Sequence, residues 1–275
     1  MTDSATAFVP GHLTLFFSVV MTDTPATTGS RGGGITIREG VYTSVQPGEG
    51  IAVNETPTSI EPVERVLDAL DVSASVQIET TLELGTGFGV SGAAALGTAI
   101  AANEAFDCRR TENELIRLAH IAEVEAQTGL GDVIAQARGG VPIRVEPGAP
   151  DVCELDGLTA RPGVEFLSLG PVSTSEVLGG DVSALSEAGE RALDKLRGAP
   201  SIDHLFDLGW EFTREAGLYD DEVASIVESV HELGGHAAVG HLGRTVVALE
   251  DGLTRAGYDP TVTVVDAAGG TLLSQ

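Results

Sequence analysis

The run Gly85-Thr86-Gly87-Phe88-Gly89-Val90-Ser91-Gly92, leading into Ala93-Ala94-Ala95-Leu96-Gly97-Thr98-Ala99, constrains this chain more than any other segment. Glycines let a backbone turn sharply and approach a ligand with no Cβ in the way. A helix that begins there aims its free N–H groups and positive dipole end into the loop, an arrangement suited to phosphate. Gly87 to Gly92 also satisfies G-x-G-x-x-G, and Asp107 stands near the distance a dinucleotide fingerprint requires. That fingerprint needs a buried parallel strand before it. Here Ser75 to Leu84 mostly alternates apolar and polar residues, as a half-exposed antiparallel strand does, and helices rather than a strand follow. A Walker loop needs a lysine after its second glycine. The one lysine of this chain, Lys195, lies far from any glycine loop, and no HRD or DFG element of a protein kinase is present.

Scarce lysine belongs to a wider bias. The chain carries 41 Asp+Glu against 15 Lys+Arg, a net charge of −26, with 42% hydrophobic residues, so it is globular rather than an acidic disordered segment. Acid spread along the whole chain fits a salt-saturated cytoplasm, where ions screen self-repulsion; a merely acidic mesophilic protein is the alternative. No basic patch exists to neutralise nucleic-acid phosphates, so no nucleic-acid partner is expected. Cys108 and Cys153 are too few for a zinc site or a disulfide framework. Phe8 to Val20 is apolar, but Pro10-Gly11-His12 interrupts it and no basic segment precedes it. Neither a signal peptide nor a membrane span is expected, and the location implied is cytoplasmic.

Periodicity and turn residues give a strand-rich first part, with strands at 5–20, 34–38, 41–47 and 75–84 and turns at Gly29–Gly34 and Gln46–Gly48. Helices are expected around 60–70, where Pro62 falls in the first turn, at 91–106, at 111–127 behind the capping-box pattern Thr111-Glu112-Asn113-Glu114, and from about 131 to Gly139-Gly140. A strand over 141–145 precedes a Pro/Gly-rich boundary stretch, Glu146 to Gly163. Beyond it come a strand at 164–169, helices near 181–197, 201–216 and 220–233, and a strand pair or strand–helix–strand over 236–266. The pattern argues for two α+β domains, residues 1–160 and 161–275.

His120 and Glu123 share a helix face, and Asp132 follows the glycine turn Gly129-Leu130-Gly131. Asp132 reads equally as a helix N-cap, and Glu123 as a solvated helix face. Beside a phosphate loop these carboxylates acquire another use, because phosphoryl transfer needs Mg²⁺ near the phosphates and a carboxylate to orient or deprotonate the attacking hydroxyl.

Three segments resemble the motifs of the GHMP kinase superfamily of galactokinase, homoserine kinase, mevalonate kinase and phosphomevalonate kinase. Val9-Pro10-Gly11-His12-Leu13 is similar to its N-terminal Pro-Gly motif, Gly85 to Ala94 to its phosphate loop, and Gly234 to Val246 to its C-terminal motif. Within the superfamily the chain most resembles the archaeal pantoate kinases, through Pro10-Gly11-His12 with Phe16-Phe17, Gly29-Ser30-Arg31-Gly32-Gly33-Gly34, Thr128 to Val133, and Leu242-Gly243-Arg244-Thr245-Val246.

The resemblance implies a two-domain fold, with an N-terminal domain like the second domain of ribosomal protein S5 and a ferredoxin-like C-terminal domain. It also implies ATP and Mg²⁺ as cofactors, pantoate as acceptor on the route to coenzyme A, and a homodimer. By the same resemblance the backbone of Gly85, Gly87, Gly89 and Gly92 wraps phosphate, Ser91 and Glu123 meet the metal, with Glu125 the second choice, and Asp132 is the catalytic aspartate. The acceptor's carboxylate wants an arginine or a cluster of donors, for which Arg144, His120 and the pair Ser30-Arg31 are candidates. A mevalonate, homoserine or shikimate kinase, or a homologue that binds without catalysis, is the alternative. Two departures stand out: His12 occupies a position where some members carry lysine or arginine, and Val90 replaces one of two loop serines. With no lysine, a Lys–Asp pair cannot operate, and His12, His236 and His241 are left without a role.

Overall fold

The computed structural model describes residues 4–172 and 182–274. Its spine is a long antiparallel pair, β1 (Ala5–Val20) and β2 (Gly29–Pro47). The outer half of β2 carries β5 (Ala74–Thr80), on which β3 (Ile51–Val53) lies parallel, with β4 (Thr56–Pro57) at the edge. The inner half of β2 pairs at Gly32 and Gly33 with β6 (Val141–Glu146), which is followed by β7 (Glu154–Leu158). A second sheet has the order β11 (Thr261–Val264), β8 (Gly163–Pro171), β10 (Gly243–Leu249), β9 (Ala237–Gly240).

Against the first sheet pack α2 (Val90–Ala105) and α4 (Asp132–Arg138), and on the far side of α2 pack α1 (Glu61–Leu70) and α3 (Glu112–Glu125). Helix α2 is sunk between sheet and helices because its side chains are small. Ala93, Ala94, Ala95, Gly97, Ala99, Ala101 and Ala102 are all buried, and a Cβ on Gly97 would lie 2.6 Å from Thr43 Oγ1. The capping box of α3 forms as expected: Glu114 N–H reaches Thr111 Oγ1, and Thr111 N–H donates to the Glu114 carboxylate. In the second half, α5 (Ser183–Gly198), α6 (Ile202–Ala216), α7 (Asp221–Glu232) and α8 (Gly252–Arg255) accompany the smaller sheet, and α6 packs on both β1 and β9. One continuous apolar cluster therefore runs through both halves, and a smaller one around Trp210, Val227 and Val246 lies under α7.

Four expectations need correction. Gly29–Gly34 is not a turn but the first third of β2. Its glycines clear space for a neighbour: a Cβ on Gly33 would sit 3.0 Å from the Phe16 ring and 2.9 Å from Leu205. The strand expected to reach residue 84 ends at Thr80, where the chain turns into the glycine loop. The stretch 146–163 contains β7. The last strand, β12 (Thr271–Leu272), returns to pair with β1 in the first sheet. Helix α5 begins at Ser183; residue 181 of that expected helix lies outside the described residues. Among the described residues no helix is long and apolar enough to cross a membrane.

Candidate active site

The glycine loop connects β5 to α2 and is tied down from four directions. His12 N–H on β1 donates to Phe88 O at 2.9 Å, and Gln136 Nε2 on α4 donates to Gly89 O at 2.9 Å. From the second half, Thr245 Oγ1 donates to Thr86 O at 2.7 Å and Val172 N–H to Gly85 O at 3.0 Å. Gly85, Gly87 and Gly89 have φ of +79°, +95° and +62°, a region that costs an L side chain dearly. Gly89 is the N-cap of α2 and no side chain caps that helix, whereas Thr111, Ser201 and Asp220 cap α3, α6 and α7. The first N–H groups of α2 thus remain free for an anion.

Gly87 is also pressed against the β9–β10 turn, where a Cβ would lie 2.8 Å from Gly240 O and 3.1 Å from His241 O. Gly87→Ala is expected to destabilise the protein by about 1–3 kcal/mol and to raise the KM for ATP. Gly50→Ala, with φ +96° and nothing near its Cβ, tests the conformational cost alone. Equal melting shifts for the two variants would contradict the close approach.

The carboxylates converge below the loop. Gly131 is the N-cap of α4 and Asp132 its first residue, with no side-chain cap bond, so the Asp132 carboxylate is not spent on capping. Its Oδ1 lies 2.7 Å from Nδ1 of His12, an imidazole that is fully buried. Burial raises the Asp132 pKa, but the His12 hydrogen bond, the charge His12 carries when protonated and the positive charge of Arg144 outweigh it, and the carboxyl falls below its usual range. Glu123, 2% exposed on α3, approaches from the other side. Gly129 passes between the two carboxylates: a Cβ there would run into Glu123 Oε2 and stand 3.5 Å from Asp132 Oδ2. Burial pushes the Glu123 pKa up to about 7, against hydrogen bonds from Thr128 (2.9 Å) and Ser91.

These residues fit a magnesium ion. A buried carboxylate held by two hydroxyls, next to a second carboxylate and without a basic partner, gains from an added cation. Among the described residues no group of three or more His, Cys, Asp or Glu gathers as a metal cage. Ser91 and Glu123 would therefore supply only part of the shell, leaving the rest to phosphate oxygens and water, as magnesium prefers.

Arg144 on β6 is 2% exposed and donates from Nε to Ser30 O at 3.3 Å, while its Nη1 is buried with no partner among the described residues. A cavity of about 20 Å³ is bounded by Thr14, Phe17, Ser30, Leu130, Asp132 and Leu242. His241 and Leu242 divide it from a cavity of about 180 Å³ lined by Val172, Tyr219 and Val239. Burial holds the His241 imidazole neutral, its pKa down to about 3.

His120 and Arg31 stand further back. His120 Nε2 bonds the Thr28 carbonyl at 3.0 Å, bracing the connection that leads into Ser30. Arg31 pairs with Glu146 at 2.9 Å and Glu190 at 3.2 Å. Like Arg144, neither borders the cavity at Asp132, and unlike Arg144 neither lies beside the Asp132 carboxylate. Two residues of the site went unassigned in the sequence, His12 and Gln136. His12 carried a signal in its place after Pro10-Gly11 of the N-terminal motif; Gln136 carried none beyond lying one helical turn after Asp132.

Comparison with known proteins agrees with this architecture. Residues 60–140 match the family of GHMP kinases, N terminal domain. A pantoate kinase of Thermococcus kodakarensis is 34% identical over 261 residues, covering 88% of this chain and 86% of the relative. A pantoate kinase of Methanocaldococcus jannaschii is 33% identical over 250 residues, covering 88% and 91%. A solved phosphotransferase related to the CoA biosynthesis pathway superposes with a TM-score of 0.87 at 27% identity over 98% of each chain. The chain belongs to the GHMP kinases, and within them to the pantoate kinase family.

Proposed function

We propose that this chain transfers the γ-phosphate of ATP to the primary hydroxyl of pantoate, giving 4-phosphopantoate. The observation that carries the choice of a hydroxy acid is Arg144: a buried guanidinium with an unpartnered Nη1 beside the carboxylate of Asp132. Such a group wants a planar anion, and the pantoate kinase relatives supply the identity of the acid.

In this reading the loop N–H groups around Gly85, Gly87, Gly89 and Gly92 hold the phosphates, and Ser91 with Glu123 holds magnesium. Magnesium would neutralise charge on the phosphate oxygens. Asp132 orients the acceptor hydroxyl and takes its proton, a contribution that is mainly positional and electrostatic. Arg144 and Ser30 receive the acceptor's carboxylate. His120 and Arg31 support that side by fixing the strand on which Ser30 stands. An open cavity of about 620 Å³ beside Tyr42, Asn54, Glu79 and Thr80 adjoins the strand end that feeds the loop, and is assigned to the nucleoside. The family resemblance adds a cytoplasmic homodimer.

The test is a panel of hydroxy acids in concentrated KCl, following ADP release. Pantoate is expected to exceed mevalonate, homoserine and shikimate by about 100-fold or more in kcat/KM, because all four offer Arg144 a carboxylate but a hydroxyl misplaced by about 1 Å from Asp132 loses that much in positioning. Turnover of one of the others without pantoate would name a sister kinase. ATP binding with no turnover on any acid would make the protein a non-catalytic binder.

A further inference from the structure

We propose that His12 is a positioning residue of the transfer step: its neutral imidazole, protonated on Nδ1, holds one oxygen of Asp132 and leaves the other for the acceptor hydroxyl. This rests on the kinase reading and goes beyond it, because that reading gives His12 no part. The residue follows a break in the β1–β2 register between Pro10 and Gly11, where β2 bulges at Arg38 and Glu39. Its backbone N–H is bonded to Phe88 O in the glycine loop, and its ring to Asp132 Oδ1 at 2.7 Å. A single residue therefore fixes the phosphate loop and the proposed base relative to each other. Gln136 repeats the connection from α4, through Gly89 O.

The ring's surroundings decide its protonation. Nε2 is buried without a partner among the described residues and abuts the backbone at Gly34, where a Cβ would stand 2.7 Å from it. A cationic ring would leave a buried N–H with no acceptor, which costs more than a bare lone pair. Burial lowers the His12 pKa, in the same direction. The charged groups facing Asp132 are Arg144 from β6 and Glu123 from α3, with His12 from β1. Only Arg144 carries a fixed positive charge. The tasks are thus divided: Arg144 supplies charge, and His12 supplies direction without a second buried cation drawing down the proton affinity of Asp132.

Three variants and one spectrum test this. His12→Leu removes the donor at similar bulk, and kcat should fall about 10–100-fold, the loss of one hydrogen bond to a charged group, with both KM values within about threefold. His12→Asn places an amide N–H where Nδ1–H stands and should recover kcat to within about fivefold of wild type. In an Asp132→Asn background, His12→Leu should add little, because it acts through Asp132. Equal losses in His12→Leu and His12→Asn, or a full multiplicative loss in the double variant, would overturn the proposal. The ¹⁵N spectrum of histidine-labelled protein, assigned by the signal missing in His12→Asn, should show protonated Nδ1 and bare Nε2 at pH 7. An imidazolium or an Nε2–H ring would overturn it. The spectrum needs no turnover, so it decides the pairing even if the wild-type enzyme phosphorylates no hydroxy acid and the kinase reading itself falls.

Discussion

Asp132→Asn is expected to lower kcat about 10³-fold, within the range of a lost general base, while the KM for ATP does not rise. The substitution is nearly isosteric, and the Asn carbonyl can still accept the His12 Nδ1–H that now bonds Oδ1 at 2.7 Å. Fold and alignment should therefore survive, with melting temperature shifted by only a few degrees. What disappears is the ability to take a proton and to stabilise it beside Arg144. Residual turnover would report positioning alone, since the loop and the acceptor site remain. The low pKa of Asp132 sharpens this expectation: a weak base is useful only when held in place. A kcat within tenfold of wild type would remove Asp132 from the chemistry and leave it an ordinary first-turn carboxylate at the start of α4.

Arg144→Met should lower kcat/KM for pantoate by about 10²–10³-fold, the cost of taking one partner from a buried charged pair, with the KM for ATP within a few-fold. Methionine keeps an unbranched stem through the packed space while removing the charge. Arg144→Lys is not expected to rescue, because a single ammonium cannot reproduce the fork that bonds Ser30 O and leaves Nη1 for a second acceptor. Loss of the charge also removes the positive field that favours the ionised Asp132 carboxylate, so a modest change in kcat should accompany the larger rise in KM. An unchanged KM for pantoate would show that the orphaned Nη1 is not the acceptor's anchor.

Much of this architecture was legible before any coordinates. Helices α1, α2, α3, α6 and α7 announce themselves through apolar spacing, small-residue runs or caps such as Thr111-Glu114 and Asp220, all of which act within one or two turns. Misread features were set by distant neighbours. Gly29–Gly34 has the composition of a turn, yet it lies in β2, its glycines making room for distant neighbours: Leu130 and Gly148 at Gly29, Phe16 and Leu205 at Gly33, Leu13 and His12 at Gly34. β12 pairs with β1 across the whole length of the chain, which no local pattern encodes. The site divides the same way. Gly85 to Gly92, Glu123 and Asp132 are motif residues with recognisable spacing. His12 and Gln136 matter through contacts 120 and 47 residues away in sequence, and only the tertiary fold brings them to Asp132 and Gly89.

The central claim is that a hydroxy acid held by Arg144 is phosphorylated at the hydroxyl facing Asp132. It is tested most directly by ³¹P NMR of the protein with ATP, Mg²⁺ and pantoate in concentrated KCl. The result predicted is one new phosphomonoester on the primary oxygen of pantoate, appearing in step with ADP and absent in Asp132→Asn. ADP without that ester, or the ester formed equally by Asp132→Asn, would contradict it.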